Sequence, residues 1–150
     1  MRIEDEIKQS AFQNDYQKAL INIFYTNNFL VDQLNDVFKK HDITRQQYNV
    51  LRILRGQYPK PTQIGLIRER MLDKMSDASR IVDRLIKKEL IKKNIAEHDR
   101  RAVDILISDR GLALLRAIDT FSSDFETALR NLDSGEAAEL NRLLDKIRTN

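Results

Sequence analysis

From Phe12 to about Lys40 the apolar residues of this chain recur at helical spacing: Tyr16, Ala19 and Leu20, Ile23 and Phe24, Leu30 and Val31, Leu34, then Val37 and Phe38. Steps of three and four residues put them on one stripe of an amphipathic helix, with Asn27 and Asn28 at its middle turn. A helix of this length extends roughly 40 Å at 1.5 Å per residue, more than one small compact domain can cover. Part of the stripe therefore needs a second chain.

The rest of the composition narrows the class. The chain has 150 residues, 41% hydrophobic and 33% charged, which fits one globular domain and argues against disorder. The absence of cysteine excludes disulfides, thiolate metal sites and thiol redox chemistry. The start, Met1-Arg2-Ile3-Glu4-Asp5-Glu6, is acidic and lacks the apolar stretch of a secretion signal. No uninterrupted apolar run approaches the roughly 18 residues that a membrane span needs. The expectation is a cytoplasmic protein with no membrane contact. Its net charge of +3 is unevenly spread: −1 over residues 1–40, +7 over 41–101 and −3 over 102–150. A basic middle between acidic ends suits a phosphate-binding surface. A solvated lysine-rich surface gives the same count, and charge alone does not separate the two.

After the long helix, Thr44 and Gln47 form a capping box with Ile43 and Tyr48 at the staple positions. Tyr48, Leu51 and Leu54 continue to Gly56, a natural stop. Both prolines fall in Tyr58-Pro59-Lys60-Pro61, a stiff connector, after which Thr62 can cap a short helix carrying Ile64, Ile67 and Met71. A turn at 72–75 leads to Ser76 as the next cap candidate. Behind it Ala78, Ile81, Val82, Leu85, Ile86 and Leu90 form one stripe, and Asp77, Ser79, Arg80, Asp83, Arg84 and Lys87 occupy the outer surface. Asp77 suits the helix dipole there, and Asp83 is placed for an intrahelical pair with Lys87. Two β-prone runs, Ile91–Ile95 and Val103–Ile107, flank the polar tip 96–101. Ser108-Asp109 then caps a helix bearing Leu112, Leu115, Ile118, Phe121, Phe125 and Leu129, and Ser134-Gly135 opens a last one with Leu140, Leu143, Leu144 and Ile147. The class is mainly α with a small β-hairpin.

Two short helices joined by a tight turn, then a hairpin with a charged tip, make a constellation that can read duplex DNA. A helix with a basic outer face can seat its first turns in the major groove. Ser76 and Ser79 can donate there to phosphate or base edges, and Arg80 and Arg84 project one turn apart, Arg being suited to bidentate reading of guanine. Arg100 and Arg101 on the hairpin tip can reach a minor groove or its phosphates. Lys87, Lys88, Lys92 and Lys93 add affinity without sequence information. Taken singly, a serine near a helix start is usually a cap and an exposed arginine usually solvated; the combination carries the reading.

Ser79-Arg80-Ile81-Val82-Asp83-Arg84-Leu85 followed by Asp99-Arg100-Arg101-Ala102-Val103 resembles the recognition helix and wing of the MarR (multiple antibiotic resistance regulator) family. Ile43-Thr44-Arg45-Gln46-Gln47-Tyr48 resembles the start of its second helix, and Ile107-Ser108-Asp109-Arg110-Gly111 its post-wing signature. The likeness covers nearly the whole chain. It implies one domain over residues 1–150, with 1–42 and 109–150 as dimerisation helices and 43–108 as a winged helix-turn-helix DNA-binding lobe. It implies a homodimer on a pseudopalindromic operator in double-stranded DNA, acting as a repressor, often released by a small aromatic ligand. Carried over by position, Ser76, Ser79, Arg80 and Arg84 fall on the major-groove helix. Asp99 pairs with Arg101 to hold the wing, Arg100 or Arg101 enters the minor groove, and Thr62 and Gln63 contact backbone phosphate. Glu89 stands where the family usually has glycine, so a differently shaped turn into the wing is expected. Tyr16, Phe24, Tyr25, Phe29, Phe38, Tyr48 and Phe121 are available for an effector pocket, although aromatics at helical spacing are more often core.

Catalysis finds little support. His41 and His98 are isolated, no nucleophile is implied, and the four glycines form no phosphate-cradling loop. No cofactor or metal follows. The other reading is a winged-helix scaffold that docks an acidic protein. Such a surface should expose large apolar anchors, whereas the outer face of 76–89 offers Ser, Arg, Asp and Lys. RNA binding normally uses exposed aromatics, and none lies between Lys60 and Thr120.

Overall fold

The computed structural model describes residues 1–95, 103–120 and 129–149. In chain order the elements are α1 (Ile3–Glu6), α2 (Asp15–Lys40), α3 (Arg45–Gln57), α4 (Ile64–Arg70), α5 (Ala78–Lys87), β1 (Ile91–Ile95), β2 (Val103–Ile107), α6 (Asp109–Asp119) and α7 (Ser134–Ile147). The chain is mainly helical with one two-stranded antiparallel hairpin, as expected from its sequence.

The long helix begins three residues later than its apolar pattern suggests, because Asn14 caps it by accepting from the Gln17 N–H at 2.9 Å. It ends in a paired-bond cap: the Ile43 N–H reaches the Phe38 carbonyl and the Asp42 N–H reaches the Lys39 carbonyl, both at 3.1 Å. Asp42 takes the left-handed φ of 52° that this closure needs. Thr44 and Gln47 form the expected capping box at the start of α3, which is why Gln47 is buried without being orphaned. Helix α3 runs through Gly56 to Gln57, so that glycine does not stop it.

The structure corrects the reading of Thr62. Gln63, not Thr62, occupies the cap of α4, with no side-chain bond. Thr62 instead exchanges backbone hydrogen bonds with Ile105 at 2.9 and 2.8 Å, adding a one-residue third edge to the hairpin. That pairing leaves Thr62 only 7% exposed.

In the hairpin Ile91 lies opposite Ile107 and Ile95 opposite Val103. Alternation turns Ile105 and Ile107 into a core shared with Phe38, Leu51, Leu54, Ile67, Leu85, Leu115 and Ile118. Ser108 fastens the hairpin to the next helix, its hydroxyl accepting from the Gly111 N–H at 3.0 Å and donating to the Glu89 carbonyl at 2.8 Å. A Cβ at Gly111 would lie 2.3 Å from the Leu90 carbonyl oxygen, so only glycine fits there. Among the described residues α2 buries only Val37 and Phe38, and α7, capped by the Asp133–Glu136 box, buries none.

Candidate nucleic-acid interface

Helix α5 buries Ala78, Val82 and Leu85 at steps of four and three residues, which fixes its opposite face outward. Ser79, Arg80, Asp83, Arg84 and Lys87 are all exposed on that face. Among the described residues neither Arg80 nor Arg84 belongs to an ion pair, whereas Arg55 pairs with Asp119 and Arg110 with Glu89 at 2.9 Å. The expected Asp83–Lys87 pair does not form. Two guanidinium groups one turn apart, unpaired among the described residues, are ready donors for phosphate or a guanine edge.

The helix starts differently from its sequence reading. Asp77, not Ser76, is the cap, accepting from the Arg80 N–H at 3.1 Å. The Ser76 hydroxyl is taken by Asp73 at 2.7 Å, and the other Asp73 oxygen accepts from the Met75 N–H at 3.0 Å. These two bonds hold the Asp73 carboxyl below its usual pKa, the Ser76 hydroxyl contributing most. The Asp77 and Asp73 oxygens are thus engaged by local backbone and hydroxyl donors, and Asp73 stays ionised. Asp73 was not singled out from sequence, although Asp-x-x-Ser just before a helix is a recognisable turn pattern.

Ser76, Arg80 and Arg84 come together around a shallow cavity of about 320 Å³, whose far wall is Thr44 and Gln46 on the first turn of α3. Ser79 is exposed on the same helix, and Gln63 is exposed at the start of α4. Thr62 is not brought to this surface. Lys92 and Lys93 are exposed on β1. Asp99, Arg100 and Arg101, and with them the wing-tip assignments, lie outside the described residues.

The other end of α5 shows why Glu89 can stand in a glycine's place. Its φ is 59°, the Leu90 N–H donates to the Leu85 carbonyl at 3.0 Å, and its own N–H donates to Ile86 at 2.8 Å. This is the left-handed closure that glycine favours, so the turn is not reshaped. Arg110 pairs with the Glu89 carboxylate, and the Ser108 hydroxyl donates to the Glu89 carbonyl. Next to it the Lys88 ammonium reaches Asp42, 3.2 Å from a carboxylate oxygen and also on its carbonyl, tying the end of α5 to the end of α2.

The aromatic candidates do not form one cage. Phe38 and Tyr48 stack with ring centres 4.8 Å apart, Phe38 fully inside the core and Tyr48 at its edge. Tyr16, Phe24, Tyr25 and Phe29 are exposed along α2, and Phe121 lies outside the described residues. Among the described residues no helix is long and apolar enough to cross a membrane, and no group of three or more His, Cys, Asp or Glu could hold a metal ion.

Residues 41–102 match the model of the MarR family. Over 113 residues, 75% of each chain, the sequence is 33% identical to the HTH-type transcriptional regulator MgrA of Staphylococcus aureus. In fold it is similar to a mutant MarR from E. coli complexed with operator DNA, with a TM-score of 0.81 and 22% identity over 93% of this chain and 100% of that one. It is also similar to Bordetella bronchiseptica BpsR, whose DNA binding is regulated by 6-hydroxynicotinic acid, with a TM-score of 0.71 and 19% identity over 85% and 96% of the two chains.

Proposed function

The chain belongs to the MarR family of transcriptional regulators, and on that premise we propose that it is a repressor that binds a pseudopalindromic operator as a homodimer. The observation that carries the proposal is the outer face of α5, where Ser79, Arg80 and Arg84 are exposed and both guanidinium groups are unpaired among the described residues. Arg80 and Arg84 reach base edges or phosphates in the major groove, and Ser79 follows on the same turn. Ser76 and Gln63 meet backbone phosphate, and on the wing Asp99 pairs with Arg101 while Arg100 or Arg101 enters the flanking minor groove. Lys92 and Lys93 add salt-dependent affinity.

Residues 1–42 and 109–150 serve as the dimerisation helices and 43–108 as the DNA-binding lobe. The support is the apolar face that α2 and α7 leave open: Tyr16, Leu20, Phe24, Leu140, Leu143 and Ile147 are all exposed in the single chain. Dimer geometry then sets the two α5 helices about one turn of DNA apart, roughly 34–36 Å. A small aromatic effector acts by changing that separation and favouring a spacing that does not fit the groove. As a DNA-bound repressor the protein works in the cytoplasm.

Selection of bound fragments from the genome, followed by binding titrations on the recovered site, tests this. Arg80→Ala should cost on the order of 1–3 kcal/mol on that duplex and relax base preference at one position in each half-site. A recovered site without two-fold symmetry, unchanged affinity in Arg80→Ala, or a light-scattering mass near 17.6 kDa at micromolar concentration would each overturn it.

A further inference from the structure

The turn between α4 and α5 displays Leu72 at 87% and Met75 at 95% exposure, three residues apart. Single exposed apolar side chains are ordinary. These two stand on a braced turn. Asn49 on α3 accepts from the Leu72 N–H at 2.9 Å, Asp73 accepts from both the Met75 N–H and the Ser76 hydroxyl, and the Lys74 ammonium closes on the Glu69 carbonyl. Met71, immediately before, is anchored in the core at 2% exposure. Two backbone N–H groups of the turn, those of Leu72 and Met75, are thus held by side chains while two large apolar groups stand in water.

Their position says what would cover them. Met75 precedes Ser76, which lines the same cavity as Arg80 and Arg84. The two carboxylates nearest in sequence, Asp73 and Asp77, are turned onto backbone N–H and hydroxyl donors. Lys74 and Arg80 supply positive charge on either side. A protein interface needs about 800 Å² per partner, and the outer face of α5 beside this pair is polar. The major groove does offer an apolar mark of matching size, the C5 methyl of thymine.

We propose that Met75, flanked by Leu72, packs on a thymine methyl in the major groove and specifies thymine at a base pair that Arg80 and Arg84 do not read. The inference rests on the reading that α5 enters that groove. The unbranched thioether adapts its shape to a methyl without needing a hydrogen bond. Such a contact discriminates by methyl burial alone, so it reads thymine against deoxyuridine as well as against cytosine.

The probe is a duplex selected from a random-sequence library by the full-length protein, with its thymines replaced singly by deoxyuridine. At one position per half-site, loss of the methyl should weaken binding by about three- to five-fold, the worth of one buried methyl group. Met75→Ala should weaken the parent duplex by a similar factor and become indifferent to deoxyuridine there. Arg80→Ala should keep the deoxyuridine penalty while binding more weakly overall. Both variants change exposed side chains, so an unchanged melting temperature confirms the fold. If no methyl matters to the wild type, or Met75→Ala keeps the full penalty, the inference fails while operator binding stands. If Leu72→Ala and Met75→Ala both bind duplex as the wild type does, it fails. If the wild type selects no duplex at all, the inference falls together with the reading beneath it.

Discussion

The two parts of α2 share one apolar rhythm and meet opposite fates. At its C-terminal end Val37 and Phe38 are buried under α3 and the winged-helix core. Toward its start Tyr16, Leu20 and Phe24 follow the same rhythm in four-residue steps and stay in solvent, Tyr16 at 88%. Periodicity therefore tells that a face will be covered and says nothing of what covers it. The C-terminal end is completed by its own chain, and the remainder offers a surface of the kind that a second copy would close.

The sharpest way to break this contrast is to cut the same residue type on each side of it. Phe38→Ala removes a ring that is fully inside the core and stacked on Tyr48, and should cost about 3–5 kcal/mol. Chemical denaturation should give that loss equally at low and high protein concentration. Phe24→Asp should leave the lobe folded and instead halve the light-scattering mass, with a melting temperature that no longer rises with concentration. If Phe24→Asp unfolds the lobe, or Phe38→Ala merely dissociates the protein, the two parts of α2 are not different in the way described.

A second substitution probes how tightly the self-completed region is closed. Gly111→Ala sets a methyl against the Leu90 carbonyl oxygen and the Ile107 side chain, at 2.3 and 2.7 Å before any relaxation. Overpacking of this kind typically costs 1–3 kcal/mol. Because the clash falls where the hairpin joins α6, amide exchange should accelerate first around Leu90 and Ser108. An unchanged denaturation midpoint would mean that the junction has slack and that the closed region is looser than its burial implies.

Smaller, and of the opposite sign, is the effect expected at Glu89. The left-handed backbone there costs a side-chain-bearing residue roughly 1–2 kcal/mol relative to glycine. The pair with Arg110 is exposed on both sides and offsets little of it, since such pairs are worth about 0–1 kcal/mol. Glu89→Gly should therefore raise stability by about 1 kcal/mol, read as a higher denaturant midpoint. A loss of stability would show that the Arg110 contact matters more than the backbone.

Glu89 also shows where the sequence stopped being legible. Local signals were read well: both strands, the Thr44–Gln47 box and the Ser108 cap depend on residues within a few positions of one another. Outcomes set by competition or by distant partners were not. Ser76 and Asp77 are both good caps, and Asp73 decides between them by taking the serine hydroxyl. Thr62 looks like a cap until Ile105, distant in the chain, pairs with its backbone. The outward face of α5, and with it Ser79, Arg80 and Arg84, was readable because three buried positions fix its rotation. Leu72 and Met75 gave no periodic signal, since a turn has no face to repeat.

The open part of α2 is not bare along its whole length, and its smallest expected effect lies there. Helix α1 folds back on it: Ile3 is buried, Lys18 donates to Glu4 at 2.6 Å and Tyr25 donates to Glu6 at 2.8 Å. The Lys18 contact is the chief reason the Glu4 carboxyl is held near a pKa of about 2 instead of the usual 4.5. A depressed carboxylate contributes fully above its unfolded value and loses that contribution as pH falls toward the folded one. The N-terminal segment should therefore stay docked at pH 5 and above and loosen progressively between about pH 4.5 and 2, with the lobe core still protected. The methyl resonances of Ile3 followed by NMR through an acid titration give the midpoint directly, and Lys18→Met should move it up toward 4.5. A midpoint unaffected by that substitution would mean that burial of Ile3 alone holds the segment, and that this stretch of α2 is closed by apolar contact in the same manner as its far end.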